Sequence, residues 1–226
     1  MSPLSSQQPT GFRDRVDAGA RLAMPLLPRV ATLAPDDIVV IGLARGGVIV
    51  AAEVARQLDV RLEAIVVRKL GAPDQRELAI GALAASGERV LNQPLINDIG
   101  LDQEQVESIS SQAQKAAMSL CREIGVPAVV PDIVGKTAIL VDDGLATGAT
   151  MRVAIEAVYH QGARQVFVAL PVAPASMVEP FREIADDVIT IIAPENLRAV
   201  GQWYGYFPDV PSSAVRDALA ANRASA

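Results

Sequence analysis

The sequence predicts an α/β fold in which a doubly wound, mostly parallel sheet is flanked by helices. Continuous aliphatic runs such as residues 38–41 are typical of strands that are buried on both faces. Segments with helical periodicity follow these runs, and strand–helix alternation implies a parallel sheet. A chain of 226 residues, half of them apolar, is long enough for one sizeable core.

The predicted elements follow one another in chain order. The first helix spans residues 12–27, where Val16, Ala20, Ala23 and Leu27 recur at helical spacing. Asp102 is the predicted N-cap of a long helix. The remaining helices are predicted at 48–58, 102–124, 150–160 and 175–184, and the strands at 38–41, 62–67, 137–141, 165–172 and 188–192.

Three stretches depart from this alternation. Residues 1–10 are rich in Ser, Gln and Pro, which predicts a disordered tail before a core domain of residues 11–193. Residues 68–100 contain charges, glycines and Pro73, which predicts a mobile long loop or hairpin. Residues 194–226 form an irregular unit that ends in a helix.

Composition excludes several classes of function. The net charge of −6 argues against non-specific binding to nucleic acid or to anionic membranes. The only cysteine, Cys121, and the only histidine, His160, cannot form a disulfide framework or a Cys/His metal site within one chain. Without a membrane-length apolar run or a signal peptide, the expected location is the cytoplasm.

The most informative segment is residues 139–150, I-L-V-D-D-G-L-A-T-G-A-T. A buried strand delivers Asp142 and Asp143, and a turn of small residues then opens a helix. Backbone N–H groups at such a turn bind anions, assisted by the helix dipole and, in this chain, by the hydroxyls of Thr147 and Thr150. Two acids beside a phosphate cradle suit a ribose 5-phosphate, and ligands of open α/β sheets bind at this edge.

Other phosphate motifs do not fit the spacing. Gly135-Lys136-Thr137 resembles the end of a P-loop, but residue 130 is valine and the tripeptide precedes its strand. Residues 42–47, G-L-A-R-G-G, are not the dinucleotide-binding pattern. An ordinary turn with helix-capping acids is the structural alternative, and the absence of D-x-D argues against a phosphoaspartate hydrolase.

The string D-D-G-L-A-T-G-A-T resembles the phosphoribosyl pyrophosphate (PRPP) motif of type I phosphoribosyltransferases. Residues 42–47 resemble the pyrophosphate loop of that family. Residues 68–92 correspond to its mobile loop, and 194–210 to its base-binding hood. The chain is also similar to a poorly characterised branch that is marked by A-V-G-x-W-Y at 199–204.

The resemblance implies that PRPP loses pyrophosphate from C1 through an oxocarbenium-like state, and that a nucleobase-like nitrogen acceptor replaces it. It also implies a Mg²⁺ cofactor and a homodimer. Asp142 and Asp143 would hold the ribose hydroxyls directly or through the metal. The 5-phosphate would be bound by Leu145, Ala146, Thr147, Gly148, Ala149 and Thr150, and pyrophosphate by Ala44, Arg45, Gly46 and Gly47.

Four further charges have candidate roles by the same resemblance. Arg68 and Lys69 follow the second strand, where the family places a residue that contacts pyrophosphate. Lys69 is one of only three lysines in the chain. Arg76 could close on pyrophosphate and Glu77 could handle a proton of the base, or both could be solvated loop charges.

Two positions depart from the family pattern. Ala146 stands where the hypoxanthine-guanine type has an aspartate near the purine, so this turn resembles the adenine and uracil types. Gly144 replaces a residue that is often aliphatic, which predicts a looser turn. Together with an unfamiliar hood, these departures leave a PRPP-sensing or nucleotide-sensing regulator as the alternative function.

Aromatic residues are scarce and clustered. Four of the eight lie within residues 203–207. Trp203 and Tyr204 are the candidate acceptor contacts, because aromatic faces can stack on a flat base. Packing of the hood onto the core explains the cluster equally well.

Overall fold

The computed structural model describes residues 11–225 except 74, 76, 77 and 146. The predicted tail at 1–10, Arg76, Glu77 and Ala146 therefore lie outside the described residues. The strands are β1 (Ile38–Leu43), β2 (Arg61–Ile65), β3 (Val67–Gly71), β4 (Ala79–Ala84), β5 (Arg89–Leu91), β6 (Thr137–Val141), β7 (Gln165–Val172) and β8 (Asp187–Ile192). The α-helices are α1 (Arg15–Val30), α2 (Gly46–Leu58), α3 (Gln93–Asp98), α4 (Gln103–Ile124), α5 (Ala149–His160), α6 (Ala175–Arg182) and α7 (Ser212–Ser225).

The predicted fold class is confirmed. Five parallel strands form one sheet in the order β2-β1-β6-β7-β8, and β3-β4-β5 form a separate antiparallel sheet. Every residue of β1 and of β6 is buried, as their unbroken aliphatic runs predict. One apolar cluster contains α1, α2 and α7 residues, and a second contains those of α5 and α6.

The predicted strand at 62–67 is wrong in one respect, because it is two strands. β2 ends at Ile65, and β3 begins at Val67 and belongs to the other sheet. The change occurs at Val66, whose carbonyl oxygen accepts a hydrogen bond of 2.8 Å from the N–H of Ala85. Because residues 62–67 are mostly aliphatic throughout, the sequence does not show where the chain leaves one sheet and enters the other.

Residues 68–100 contain strands and a helix, and so they are not a long loop. β3 and β4 form an antiparallel hairpin, and β5 adds to it. Leu70, Ile80, Ile96 and Val106 form a small apolar cluster between this sheet, α3 and α4. Strand β4 was not predicted, because the small residues of A-I-G-A-L-A give no clear β periodicity.

Helix α1 exists, but of the predicted stripe only Ala23 is fully buried. Val16 and Leu27 are 53% and 45% exposed, whereas Ala18, Leu22 and Leu26 are fully buried. Gly19 explains the choice, since a Cβ atom there would lie 2.5 Å from the carbonyl oxygen of Val50 in α2. Close contact with α2 therefore selects the face that contains the smallest residues.

Helix α7 covers the outer edge of β2 through one side chain. The Oδ1 atom of Asn222 accepts from the N–H of Leu62 at 2.7 Å, and its Nδ2 donates to the carbonyl of Val60 at 3.2 Å. The amide thus replaces a neighbouring strand at the sheet edge.

We expect Asn222→Ala to lower the free energy of unfolding by about 1–3 kcal/mol, because it leaves partly buried backbone groups unpaired. Chemical denaturation measures this change. Asn97→Ala is the control, because the side chain of Asn97 only accepts from the exposed Gln93 side chain within α3. Equal losses in the two variants would show that Asn222 does not pair the edge.

Candidate active site

The site lies where the chain changes direction across the sheet. From β1 the chain adds β2 on one side, and from β6 it adds β7 and β8 on the other. The crevice at the carboxyl ends of β1 and β6 is therefore a topological switch point, the usual binding position in open α/β sheets. Residues 44–47 follow β1 and Asp142 and Asp143 follow β6, so the two predicted loops meet in this crevice.

Gly46 and Gly47 are required because the two loops touch. A Cβ atom on Gly47 would lie 2.7 Å from the carbonyl oxygen of Val141 and 2.8 Å from Cα of Asp142. A Cβ atom on Gly46 would overlap the Oδ2 atom of Asp143. The peptide bond between Ala44 and Arg45 is cis, and α2 begins at the next residue.

The predicted phosphate cradle opens α5. Gly148 has φ of +77°, and a Cβ atom there would lie 2.8 Å from Cε of Met177. Among the described residues, no side chain caps the first N–H groups of α5. Thr147 is exposed, and Ala149 and Thr150 are partly buried. A helix start without a side-chain cap, beside two threonine hydroxyls, can bind an anion.

Leu145 has a different role from the one predicted by the motif. Its side chain is buried, and its N–H already donates to the carbonyl of Val172 at 2.9 Å. Leu145 therefore anchors the loop to β7 and cannot offer this N–H group to a phosphate.

The two carboxyl groups affect each other strongly. Burial, followed by the charge of Asp143, raises the pKa of Asp142 well above its ordinary value, and Lys69 and Arg15 oppose this shift. Burial also raises the pKa of Asp143, and Arg15 opposes that shift most strongly. The Oδ1 atom of Asp142 accepts from the N–H of Asp143 at 2.9 Å, which fixes their relative orientation.

Arg15 is a site residue that the sequence did not indicate. Its Nε donates to Oδ2 of Asp143 at 2.8 Å, and its Nη1 donates to the carbonyl of Pro208 at 2.8 Å. Its guanidinium lies 3.8 Å from the centre of the Phe207 ring. Arg15 and Asp143 are 128 positions apart, and no local pattern connects them.

A polar cavity of about 270 Å³ brings the pyrophosphate-loop residues together with charged side chains. Its arginines are Arg15, Arg45 and Arg68, and it is completed by Ala44, Gly46, Leu120, Asp143, Asp209 and Val210. Because Arg15 is already bonded to Asp143 and Pro208, Arg45 and Arg68 beside the start of α2 are the guanidinium groups that suit an anionic ligand. Two cavities of about 480 and 690 Å³ lie elsewhere, near Pro35, Ile38 and Val60 at the amino ends of β1 and β2.

The hood is attached to the beginning of the chain. The N–H of Phe12 donates to the carbonyl of Trp203 at 2.7 Å, and the N–H groups of Gly205 and Tyr206 donate to the carbonyls of Phe12 and Arg13, both at 2.8 Å. Residues 12–13 and 203–206 are therefore joined by backbone hydrogen bonds.

Tyr204 is buried in the hood. Its ring lies between those of Phe12 and Phe207, at centroid distances of 5.3 and 4.7 Å. Its hydroxyl donates to the backbone carbonyl of Asp143 at 2.5 Å, and burial raises its pKa. Packing therefore accounts for Tyr204 and Phe207, whereas Trp203 is partly buried and Tyr206 is 68% exposed.

Gly144 does not loosen the turn. A Cβ atom on this residue would lie 2.5 Å from Cγ1 of Val200 and 3.0 Å from Cγ1 of Val172. Val200 of the hood therefore fills the space that a side chain at this position would need.

The donor set of the acid pair fits magnesium. Among the described residues, no group of three or more His, Cys, Asp or Glu side chains could hold a metal ion. Asp142 and Asp143 supply two adjacent carboxylates, and the contacts with Asp143 N–H and Arg15 occupy only one oxygen of each. These residues suit Mg²⁺ that is bound through one or two carboxylates together with substrate phosphates and water.

The fold and the site define a doubly wound α/β domain with an acid pair and an anion cradle at its switch point. The model of the phosphoribosyl transferase domain matches residues 29–202, and the chain belongs to this family. Two relatives from Mycobacterium tuberculosis, whose names provisionally assign them as phosphoribosyl transferases, are each 40% identical over 201 residues. This match includes 87% of the chain but only 43% of each relative, so the chain spans less than half their length.

A solved structure, TT1426 from Thermus thermophilus, is 38% identical and has a TM-score of 0.74. The match includes 92% of this chain and 97% of that one. The shared architecture thus extends over nearly the whole described region. Of the helices that the structure describes, none has both the length and the hydropathy for crossing a bilayer.

We expect Gly144→Ala to lower the free energy of unfolding by about 1–3 kcal/mol through overpacking against the hood. Val200→Ala removes the nearest atoms, and the double variant should therefore lose less than the sum of the single variants. Chemical denaturation of all four proteins measures this coupling. Additive losses of the free energy of unfolding would contradict a direct contact between residue 144 and Val200.

Asp142→Asn should change the pH dependence of stability. Because the pKa of Asp142 is raised in the folded state, folding favours the protonated group. The protonated Asp142 therefore adds to the free energy of unfolding. This added stability is complete below the unfolded pKa of about 3.9 and is lost as the pH rises through the higher folded pKa. The variant should therefore melt above the wild type at about pH 8, and the difference should shrink towards about pH 4.

Melting temperatures across this pH range measure the effect. Asp36→Asn is the control, because Asp36 is exposed before β1 at the opposite end of the sheet. A difference between Asp142→Asn and wild type that stays constant across the range would contradict a raised pKa of Asp142 in the folded protein.

Proposed function

We propose that this chain transfers the 5-phosphoribosyl group of PRPP to a nitrogen of a nucleobase-like acceptor, with Mg²⁺ and release of pyrophosphate. The observation that carries the proposal is the contact of Gly46 and Gly47 with the acid pair. It brings a diphosphate loop and a ribose-binding pair together in one crevice. PRPP carries a diphosphate and two free ribose hydroxyls on adjacent parts of one molecule.

The roles of the residues follow from their positions. The start of α5, with Thr147 and Thr150, binds the 5-phosphate through backbone N–H groups and hydroxyls. Asp142 and Asp143 accept hydrogen bonds from the ribose hydroxyls. The polar cavity with Arg45 and Arg68 takes the pyrophosphate.

Catalysis is then mainly electrostatic and positional. Departure of pyrophosphate leaves positive charge on the ribose ring, and the two carboxylates stabilise that charge. Arginine side chains and backbone N–H groups stabilise the negative charge on the leaving group. Mg²⁺, when bound with substrate, supplies neutralisation of the diphosphate oxygens. The hood limits access of water to C1.

The acceptor enters from the hood side. In this proposal a flat heterocycle lies beside residues 199–204, with its nucleophilic nitrogen towards C1. Trp203 is the partly buried aromatic residue available there, because Tyr204 is enclosed by Phe12 and Phe207.

Calorimetry with PRPP and Mg²⁺ tests the proposal. The wild type should bind, and Asp142→Asn/Asp143→Asn should weaken binding by at least about tenfold, because two charge-assisted contacts are lost. Asp36→Asn/Asp37→Asn is the matched control, since this second adjacent acid pair is exposed and precedes β1. It should bind within about twofold of wild type.

Release of pyrophosphate with a panel of purine and pyrimidine bases then tests turnover. Turnover of about 1 s⁻¹ or more with one base identifies an enzyme. PRPP binding without turnover on any base would support the sensing regulator. Absence of PRPP binding by the wild type would refute the proposal.

A further inference from the structure

Three groups restrain Arg15 at once. Its Nε donates to Asp143, its Nη1 donates to the carbonyl of Pro208, and its planar face lies on the Phe207 ring. The side chain is only 10% exposed, and that of Asp143 is 17% exposed. A guanidinium that has two donors in fixed directions and a stacked face has essentially one orientation.

The same ion pair holds the carboxylate in a defined place. Oδ2 of Asp143 receives Arg15 and lies against Gly46 of the opposite loop. The backbone of Asp143 is fixed separately, because Tyr204 donates to its carbonyl. Without Arg15, the Asp143 carboxylate would face Asp142 with no bonded cation, and mutual repulsion would turn the two groups apart.

Arg15 also connects two distant segments to the site. It begins α1, and only Asp14 separates it from residues 12–13, which hydrogen-bond to the hood. Phe207 and Pro208, which contact Arg15, belong to the hood itself. Arg15, Phe207 and Pro208 all lie outside residues 29–202, the part that matches the family model.

We propose that Arg15 is a positioning residue that fixes the Asp143 carboxylate for PRPP and connects it to the hood. This inference rests on the proposed function. It makes the first turn of α1 a part of the PRPP site and predicts that occupation of that site is transmitted to the hood.

Trp203 is the only tryptophan and lies in the hood, so its fluorescence reports on the second part of the proposal. Calorimetry with PRPP and Mg²⁺ reports on the first. In the wild type, PRPP with Mg²⁺ should bind and change the Trp203 emission. Arg15→Met should weaken PRPP binding by about tenfold or more and reduce the emission change by at least about half.

Arg15→Lys separates charge from geometry. It retains the cation near Asp143, but a lysine cannot bond Asp143 and Pro208 in a fixed plane and stack on Phe207. Its PRPP affinity should lie between those of wild type and Arg15→Met, while its emission change should resemble that of Arg15→Met. It also provides the test if Arg15→Met does not fold.

Arg29→Met is the matched control. Arg29 lies on the same helix and forms an ion pair of 2.6 Å with Asp187, but their side chains are 41% and 30% exposed, and Asp187 lies at the amino end of β8, away from the site. This variant should keep PRPP affinity within about twofold and the full emission change. All measurements are made well below the melting temperatures, so that a merely structural loss lowers Tm without changing affinity.

The outcomes are distinguishable. Failure of the wild type to bind PRPP refutes the proposed function, and this inference with it. PRPP binding by Arg15→Met or Arg15→Lys at wild-type affinity refutes only the positioning role. Binding by wild type without any change in Trp203 emission refutes the connection to the hood.

Discussion

Two adjacent carboxylates at the end of a buried strand are the constraint around which this fold is built. Asp142 and Asp143 lie beside each other, and burial raises the pKa of both. Such a pair remains charged only where cations and hydrogen-bond donors surround it. Arg15 comes from the first helix and Lys69 from β3, while the Tyr204 hydroxyl from the hood holds the backbone carbonyl of Asp143. Three distant segments therefore converge on one edge of the sheet.

Under the proposed function, the cost of burying two acids side by side has a catalytic purpose. A site that stabilises developing positive charge needs negative groups that are fixed before the substrate arrives. Fixing them requires burial and contacts on several sides. Burial of two like charges lowers the stability of the folded protein when no cation is bound. Glycines at 46, 47 and 144 permit the necessary closeness, because side chains at these positions would collide with the acid pair or with Val200.

Local patterns in the sequence identified much of this structure. Apolar runs located β1, β6 and β7, and the Asp102 N-cap located the start of α4. The acid pair, the glycine loop and the phosphate turn were likewise predicted next to their strands. In each case the determining residues are neighbours in sequence, so periodicity and turn chemistry suffice.

The features that escaped prediction depend on distant contacts. The break at Val66 reflects pairing with Ala85, and the buried face of α1 is set by the fit of Gly19 against Val50. The contact of Arg15 with Asp143 follows the same rule, since only tertiary packing brings the start of α1 to the end of β6. Periodicity predicts that α1 is a helix, but it does not determine which of two possible faces is buried.

These distant contacts change the interpretation of the aromatic cluster. Tyr204 packs between Phe12 and Phe207 and donates to the carbonyl of Asp143, and Phe207 packs against Arg15, so half of the cluster joins the hood to the acid pair. The rings that fasten the hood are therefore not free to select an acceptor by stacking. Under the proposed function, selection of the acceptor would come from the remaining surface of residues 199–206, where Trp203 is partly buried and Tyr206 is exposed. In that proposal, a hood held by the backbone hydrogen bonds to residues 12–13 would favour a planar acceptor in one orientation, because rearranging it would break those contacts.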